Sequence, residues 1–169
     1  MRLHIGGKQQ KAGWKILNIS EAEAVDFVGD IKDLSAFCDM TCDEIYASHV
    51  LEHVAQAEVS HCLKGILRIL KPGGKFYVSV PDLDILCKYF TTPNVNVNVK
   101  YHAMRMMFGG QIDSYDFHYI GWNQEFLEHY LKEAGFSQAV RVQSFGIFDD
   151  TSNFAPYGEA ISLNMIAIR

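Results

Sequence analysis

The chain has 169 residues, 49% apolar and 21% charged, enough for one globular domain with its own core and incompatible with a disordered chain. Its formal net charge of -5, with no local cluster of Lys and Arg, offers no footprint for a phosphate backbone, so nucleic acid is not expected as a partner. Cys38, Cys42, Cys62 and Cys87 form no CxxC pair, no signal peptide precedes the opening RLHI, and no apolar run approaches the ~20 residues of a membrane span, so a cytoplasmic protein with reduced thiols is expected.

Arg2 to Ile5, Lys15 to Ile19 and Val25 to Gly29 read as short strands. Between the first two, Gly6 to Trp14 is shorter than the ~10 to 12 residues of a crossover that contains a helix, so the first crossover helix should be shortened or absent. Asp43 to Ala47 begins the next strand. From about Val54 to Leu70, the apolar residues Val59, Cys62, Leu63, Ile66, Leu67 and Leu70 recur at helical spacing, and Lys71, Pro72, Gly73 and Gly74 stop that helix. Phe76 to Val80 is a buried strand ended by Pro81.

A short helix carrying Leu83, Leu86, Cys87 and Phe90 follows. TTPNVNVNVK permits an edge strand through its Val95, Val97, Val99 alternation, but Pro93 and the asparagines favour a loop that leads into a helix with Met104, Met106 and Met107 as core filling. Phe126 to Ala134 forms another helix capped by Gly135. Two strands, Ala139 to Phe145 and Ile161 to Ile168, close a single domain spanning residues 1–169.

Polar residues collect where parallel strands end, which is where open α/β sheets bind ligands: Ser48, His49, Glu52, Asp82 and Asp84. His49, Glu52 and His53 also spell HxxEH, a zinc-hydrolase motif that requires both histidines on one helix and a third ligand from elsewhere. Because the segment starts at the end of a strand, the preferred reading is that Glu52 and His53 merely begin a helix and that no metal is held there. Asp82 is equally suited to cap a helix or to bind substrate. FGGQIDSYDFHYIGW sets Asp113, Tyr115, Asp116, His118 and Tyr119 among apolar residues, as a small-molecule pocket would, and His118 is the general-base candidate because an imidazole titrates near neutrality. Asp149, Asp150 and Thr151 read as turn residues, or as a lid if their loop curls over the site.

The order HIG, GW, VDFVGDIKDL, DEIYASHVLEHV, LKPGGKFYVSVPDLD and EAGF resembles the small class I methyltransferases that use S-adenosylmethionine. The resemblance covers nearly the whole chain. It implies a single-domain Rossmann-like α/β fold with a mostly parallel seven-stranded sheet and an antiparallel strand near one edge. It also implies methyl transfer from S-adenosylmethionine, leaving S-adenosylhomocysteine, to a small-molecule or glycan-related acceptor.

On this resemblance Gly6 and Gly7 approach the cofactor, Asn18 stands where the family usually has a carboxylate for the ribose, and Asp30 with Ile31 faces adenine. Ser48, His49 and Val50 lie beside the methionine part, and Asp82, Asp116 and Tyr119 are the substrate candidates. Two departures stand out. Lys8 replaces the last glycine of the usual GxG turn, where it either pairs with the cofactor carboxylate or repels the sulfonium. Asn18 lacks the charge that strengthens a ribose hydrogen bond. Together with the short first crossover, they also suit a scaffold that keeps the fold without binding the cofactor.

Overall fold

A computed structural model describes all 169 residues. Seven strands form one sheet in the order β3-β2-β1-β4-β5-β7-β6. They are β1 (Arg2–Ile5), β2 (Trp14–Asn18), β3 (Phe27–Val28), β4 (Cys42–Ser48), β5 (Leu70–Pro81), β6 (Gln138–Val142) and β7 (Ser162–Ile168). Neighbours from β3 to β5 are parallel, and β7 runs antiparallel to both β5 and β6. Because β1 leads toward β2 on one side while β4 leads toward β5 on the other, a crevice opens at the carboxyl ends of β1 and β4.

One face of the sheet is covered by α1 (Val59–Ile69) and α4 (Gln124–Ala134). Val59, Cys62, Leu63, Ile66 and Ile69 are buried along α1, and Leu127, Leu131 and Ala134 along α4, against Leu3, Ile5, Ile45, Phe76 and Val78 of the strands. Asn123 caps α4 by accepting from the amide of Phe126. Gly135 ends it at φ 110°, its amide and that of Phe136 returning to carbonyls of the last turn.

The expected loss of the first crossover helix is observed, and it extends further: the β1–β2, β2–β3 and β3–β4 connections contain turns and no helix. Ile31, Leu34 and Phe37 of the β3–β4 connection fill the core instead. Arg68 of α1 fastens that segment by donating to the carbonyls of Leu34 and Phe37 at 2.8 and 2.9 Å. On the opposite face, Trp14, Tyr46 and Tyr77 lie under Phe145, Ile147 and Phe148 of the β6–β7 connection, so a strap of irregular chain takes the place of helices. Tyr46 secures it, its hydroxyl donating to Asp150 Oδ2 at 2.8 Å.

The helix expected from Val54 begins only at Val59, after two single 3-10 turns, Leu51–His53 and Gln56–Glu58. LKPGG does more than stop α1. Leu70 already pairs with Cys42, the register shifts between Cys42 and Glu44, Gly73 takes φ 74°, and regular pairing resumes at Lys75. Two further helices, α2 (Leu83–Thr91) and α3 (Val97–Phe108), pack together beyond the end of β5. TTPNVNVNVK is thus a loop followed by the start of α3, capped by Asn96. Met104, Met106 and Met107 are only partly buried there and do not belong to the main core.

Candidate functional site

Gly6 and Gly7 leave β1 in a turn that only glycine fits. Gly6 has φ 76°, and a Cβ on it would lie 2.5 Å from Val50 Cγ2; a Cβ on Gly7 would lie 2.6 Å from His4 Nδ1. The His4 ring beneath them packs 4.1 Å from the Phe148 ring and 5.0 Å from the Tyr46 ring, between centroids. Burial pushes its pKa down to about 4, against a smaller upward pull from Asp150, so His4 is neutral near physiological pH.

Above this floor lies a cleft of about 740 Å³, within the range of small-molecule and cofactor sites. Gly6, Gly7, Asn18, Asp30, Ile31, His49 and Val50 line it together, joined by Lys8 and, from the α3–α4 connection, by Asp116 and Tyr119. Asn18 is tied to its surroundings at both ends. Its Nδ2 donates to the Gly7 carbonyl at 2.9 Å and its Oδ1 accepts from the Ser20 amide at 3.1 Å. Asp30 Oδ1 accepts from the Lys32 amide at 2.9 Å, with the Lys32 ammonium 3.5 Å from Oδ2. Lys8 forms no ion pair and is exposed on the rim.

His49 carries β4 into the cleft with φ 53°, a left-handed conformation that costs a non-glycine residue on the order of 1 kcal/mol or more. Its Nε2 is 2.9 Å from Ser162 Oγ, and its Nδ1 approaches Glu52 Oε1 to 3.3 Å without the alignment of a hydrogen bond. Glu52 is 1% exposed. Burial opposes its ionisation, but His49, His53 and His118 outweigh it and hold the carboxyl below its usual range.

Three expected site residues lie off the cleft lining. Ser48 has a buried hydroxyl without a hydrogen-bond partner. Asp82 is 1% exposed, with both oxygens committed: Oδ1 caps α2 through the Asp84 amide at 3.1 Å, and Oδ2 takes the Arg141 guanidinium at 2.6 Å. Asp82 therefore has a structural place away from the cleft and is not positioned to meet a substrate there. His118 sits behind the cleft wall in a small apolar pocket with Met106 and Met107, its ring 4.8 Å from that of His53. Burial lowers its pKa, against an upward pull from Glu52.

His53, Lys32 and Ile112 line the cleft without having been singled out for cofactor or acceptor binding, and Tyr115 joins them from the expected pocket segment. Lys32 had a local signal, standing two residues after Asp30. His53 had one only as part of HxxEH, and that motif is not realised in its hydrolase form: His49 ends a strand and His53 lies in a single 3-10 turn, so the two histidines do not share a helix. The Asp149–Thr151 loop straps the aromatic sheet face and does not line the cleft.

A methyltransferase domain family model matches residues 8–78. No curated protein sequence matches. Solved structures resemble the whole chain at low identity. The CurJ carbon methyltransferase is 16% identical with a TM-score of 0.56, over 99% of this chain and 47% of that one. A SAM-dependent methyltransferase from Archaeoglobus fulgidus is 14% identical with a TM-score of 0.59, over 99% and 85%. The 1,6-didemethyltoxoflavin-N1-methyltransferase of Burkholderia thailandensis, bound to 1,6-didemethyltoxoflavin and S-adenosylhomocysteine, is 16% identical with a TM-score of 0.58, over 99% and 70%. The chain thus spans about half the length of the CurJ domain. No helix is long and apolar enough to cross a membrane. The strand order with its reversed β7 and the cleft beyond β1 and β4 give this chain the fold of the class I S-adenosylmethionine-dependent methyltransferases, and a methyltransferase domain model matches residues 8–78 within it.

Proposed function

We propose that the chain binds S-adenosylmethionine in this cleft and transfers its methyl group to a small-molecule acceptor held against the α3–α4 connection. The observation that carries the reading is the turn at Gly6 and Gly7, where no Cβ can be accommodated, facing a cleft of about 740 Å³. Its donors and acceptors suit this cofactor. Lys8 supplies an unpaired cation for a carboxylate, and Asn18 Oδ1 keeps a second lone pair for a ribose hydroxyl. Asp30 offers an acceptor for the adenine amine, and Ile5, Leu17, Ile31 and Val50 supply apolar walls.

When bound, the cofactor supplies a methyl group made electrophilic by the adjacent sulfonium. The task left to the chain is orientation, since direct displacement depends on holding the nucleophile in line at about 3 to 3.5 Å. Tyr119 and Asp116, which line the cleft from the α3–α4 connection, are the acceptor-positioning candidates. Tyr119 is held through its backbone, its amide donating to the Glu52 carbonyl at 2.9 Å. His118 lies one ring behind this wall, so a role in proton removal would pass through His53 or a water molecule.

Calorimetry with S-adenosylhomocysteine and S-adenosylmethionine tests the reading, followed by an acceptor screen with labelled donor. Micromolar binding, about −8 kcal/mol, is expected. The absence of both heat and thermal shift at roughly millimolar cofactor would instead favour a scaffold, a reading supported by the helix-free first connection and by Asn18 being engaged at both ends.

A further inference from the structure

The acceptor wall contains a group of side chains that the proposed methyl transfer does not require. Glu52, His53 and His118 each place one ligand-type atom within 4.8 Å of the other two. They come from separate segments: the first two from the turn after β4, the third from the α3–α4 connection. Glu52 is 1% exposed, and neither carboxylate oxygen has a hydrogen-bond donor. A buried carboxylate without donors is costly unless another partner meets it.

The hydrogen bonds around the rings determine what they can offer. His53 Nδ1 lies 3.1 Å from the Phe117 carbonyl oxygen, and His118 Nδ1 lies 2.9 Å from that of Met106. A carbonyl only accepts, so each Nδ1 carries the proton and each neutral ring is left with its lone pair on Nε2. An imidazole fixed through one nitrogen by a backbone carbonyl is the arrangement that orients histidine ligands toward a metal.

His49 sharpens the argument from the other side. The Ser162 hydroxyl gives its single proton to the Thr151 carbonyl at 3.0 Å, so His49 Nε2 is the donor in its 2.9 Å contact with Ser162 Oγ. Its Nδ1 lies 3.3 Å from Glu52 Oε1 without the alignment of a hydrogen bond, so His49 too leaves both carboxylate oxygens without an aligned donor.

We propose that Glu52, His53 and His118 hold one first-row divalent cation of the zinc class at the acceptor wall of the cleft. Two imidazoles and one carboxylate are a ligand set for such ions and leave a coordination position for an exogenous ligand. His53 also lines the cleft, so that position borders the space where the acceptor would lie. This gives the site a preference for acceptors with an oxygen or nitrogen able to bind the ion. The acceptor preference rests on the proposed methyl transfer; the ion site does not. It differs from the HxxEH hydrolase arrangement, because Glu52 is a ligand here and His49 a positioning residue engaged with Ser162.

The test uses the full chain without a histidine tag. Zn²⁺ binding is measured by calorimetry and Co²⁺ binding by visible absorption, for the wild type, His53→Gln and His118→Gln, with folding checked by circular dichroism. One equivalent is expected, with cobalt d–d bands and a loss of affinity of about 100-fold or more in each variant that folds. His53, partly exposed at the cleft wall, carries the test should His118→Gln not fold. Failure of the wild type to bind either ion would overturn the proposal and leave a proton shared between His49 and Glu52. Equal affinity in His53→Gln would also overturn it, by placing the ion elsewhere. S-adenosylhomocysteine titrated into the same samples separates the two proposals: metal without cofactor defeats the methyltransferase reading alone, and cofactor without metal defeats the ion site alone.

Discussion

His4 should make the stability of this protein fall as the pH drops from neutrality toward about 5. The ring is enclosed by Tyr46, Phe148 and the Gly6–Gly7 turn, its Nδ1 has no hydrogen-bond partner, and burial brings its pKa to about 4 from an ordinary 6.5. Between those values the unfolded chain binds a proton that the folded chain refuses. The His4 contribution is therefore fully present above pH 6.5 and is lost as the pH falls toward about 4. The complete shift corresponds to about 3 kcal/mol, of which about 2 kcal/mol lies between roughly pH 7 and pH 5. In a domain of this size the latter is a fall in melting temperature of about 4 to 8 °C. Asp150 pulls the other way and offsets part of the burial effect.

The assay is urea denaturation of wild type and His4→Phe across this range. Phenylalanine keeps a ring in the same aromatic enclosure and cannot be protonated, so near pH 7 the variant should lie within about 1.5 kcal/mol of wild type. Toward pH 5 it should lose about 2 kcal/mol less than wild type. Other histidines titrate in both proteins and cancel from the difference. Parallel pH profiles for the two proteins would refute the reasoning.

Asp30→Ala should weaken S-adenosylhomocysteine binding by about 1 to 3 kcal/mol in calorimetry, and an unchanged affinity would remove Asp30 from the site. Gly7→Ala should reduce affinity by about 1 kcal/mol or more, because its Cβ must displace the His4 ring or the turn; a crystal structure with both unmoved would contradict this. Asp82→Ala should cost about 1 to 3 kcal/mol of folding stability through loss of the α2 cap and the Arg141 ion pair, measured by urea denaturation, while leaving S-adenosylhomocysteine affinity unchanged. Asn18→Asp tests the latch: it restores the usual ribose carboxylate but removes the donor to the Gly7 carbonyl, so affinity should fail to rise, and a tenfold gain, about 1.4 kcal/mol, would show the latch to be dispensable.

Much of the fold was legible because α1 and α4 carry their burial in helical spacing and the 76–81 half of β5 is a nearly continuous buried run. The short β1–β2 connection could be read from its length alone. The strap over the second sheet face was hidden, because Phe145 reads as the end of a strand, although β6 stops at Val142, and Phe148 as an ordinary residue of a polar loop, until Tyr46, far away in sequence, appears beneath them. At the site, Gly6, Gly7, Asn18, Asp30 and His49, picked out by the family resemblance, line one cleft. Asp82 was ambiguous because a helix cap and a binding carboxylate use the same residue at the same place, and only its pairing with Arg141 separates them. The Glu52, His53 and His118 group could not be read locally, since its third member lies in the distant α3–α4 connection.

The strap also makes the two sides of the sheet unequal in how they open. The α1–α4 face is closed by regular helices whose backbone hydrogen bonds break cooperatively, whereas residues 143–161 lie on the aromatic face chiefly by side-chain contacts, the Tyr46–Asp150 bond and the bonds Asn164 donates to the carbonyls of Gln143 and Ser152. Partial opening should therefore begin there, visible as faster amide exchange through the strap than through α1. Ser162 stands at the strap's far end and holds His49. An opening of this segment would thus reach the cofactor cleft through one hydroxyl, linking local breathing of the back face to the geometry of the front.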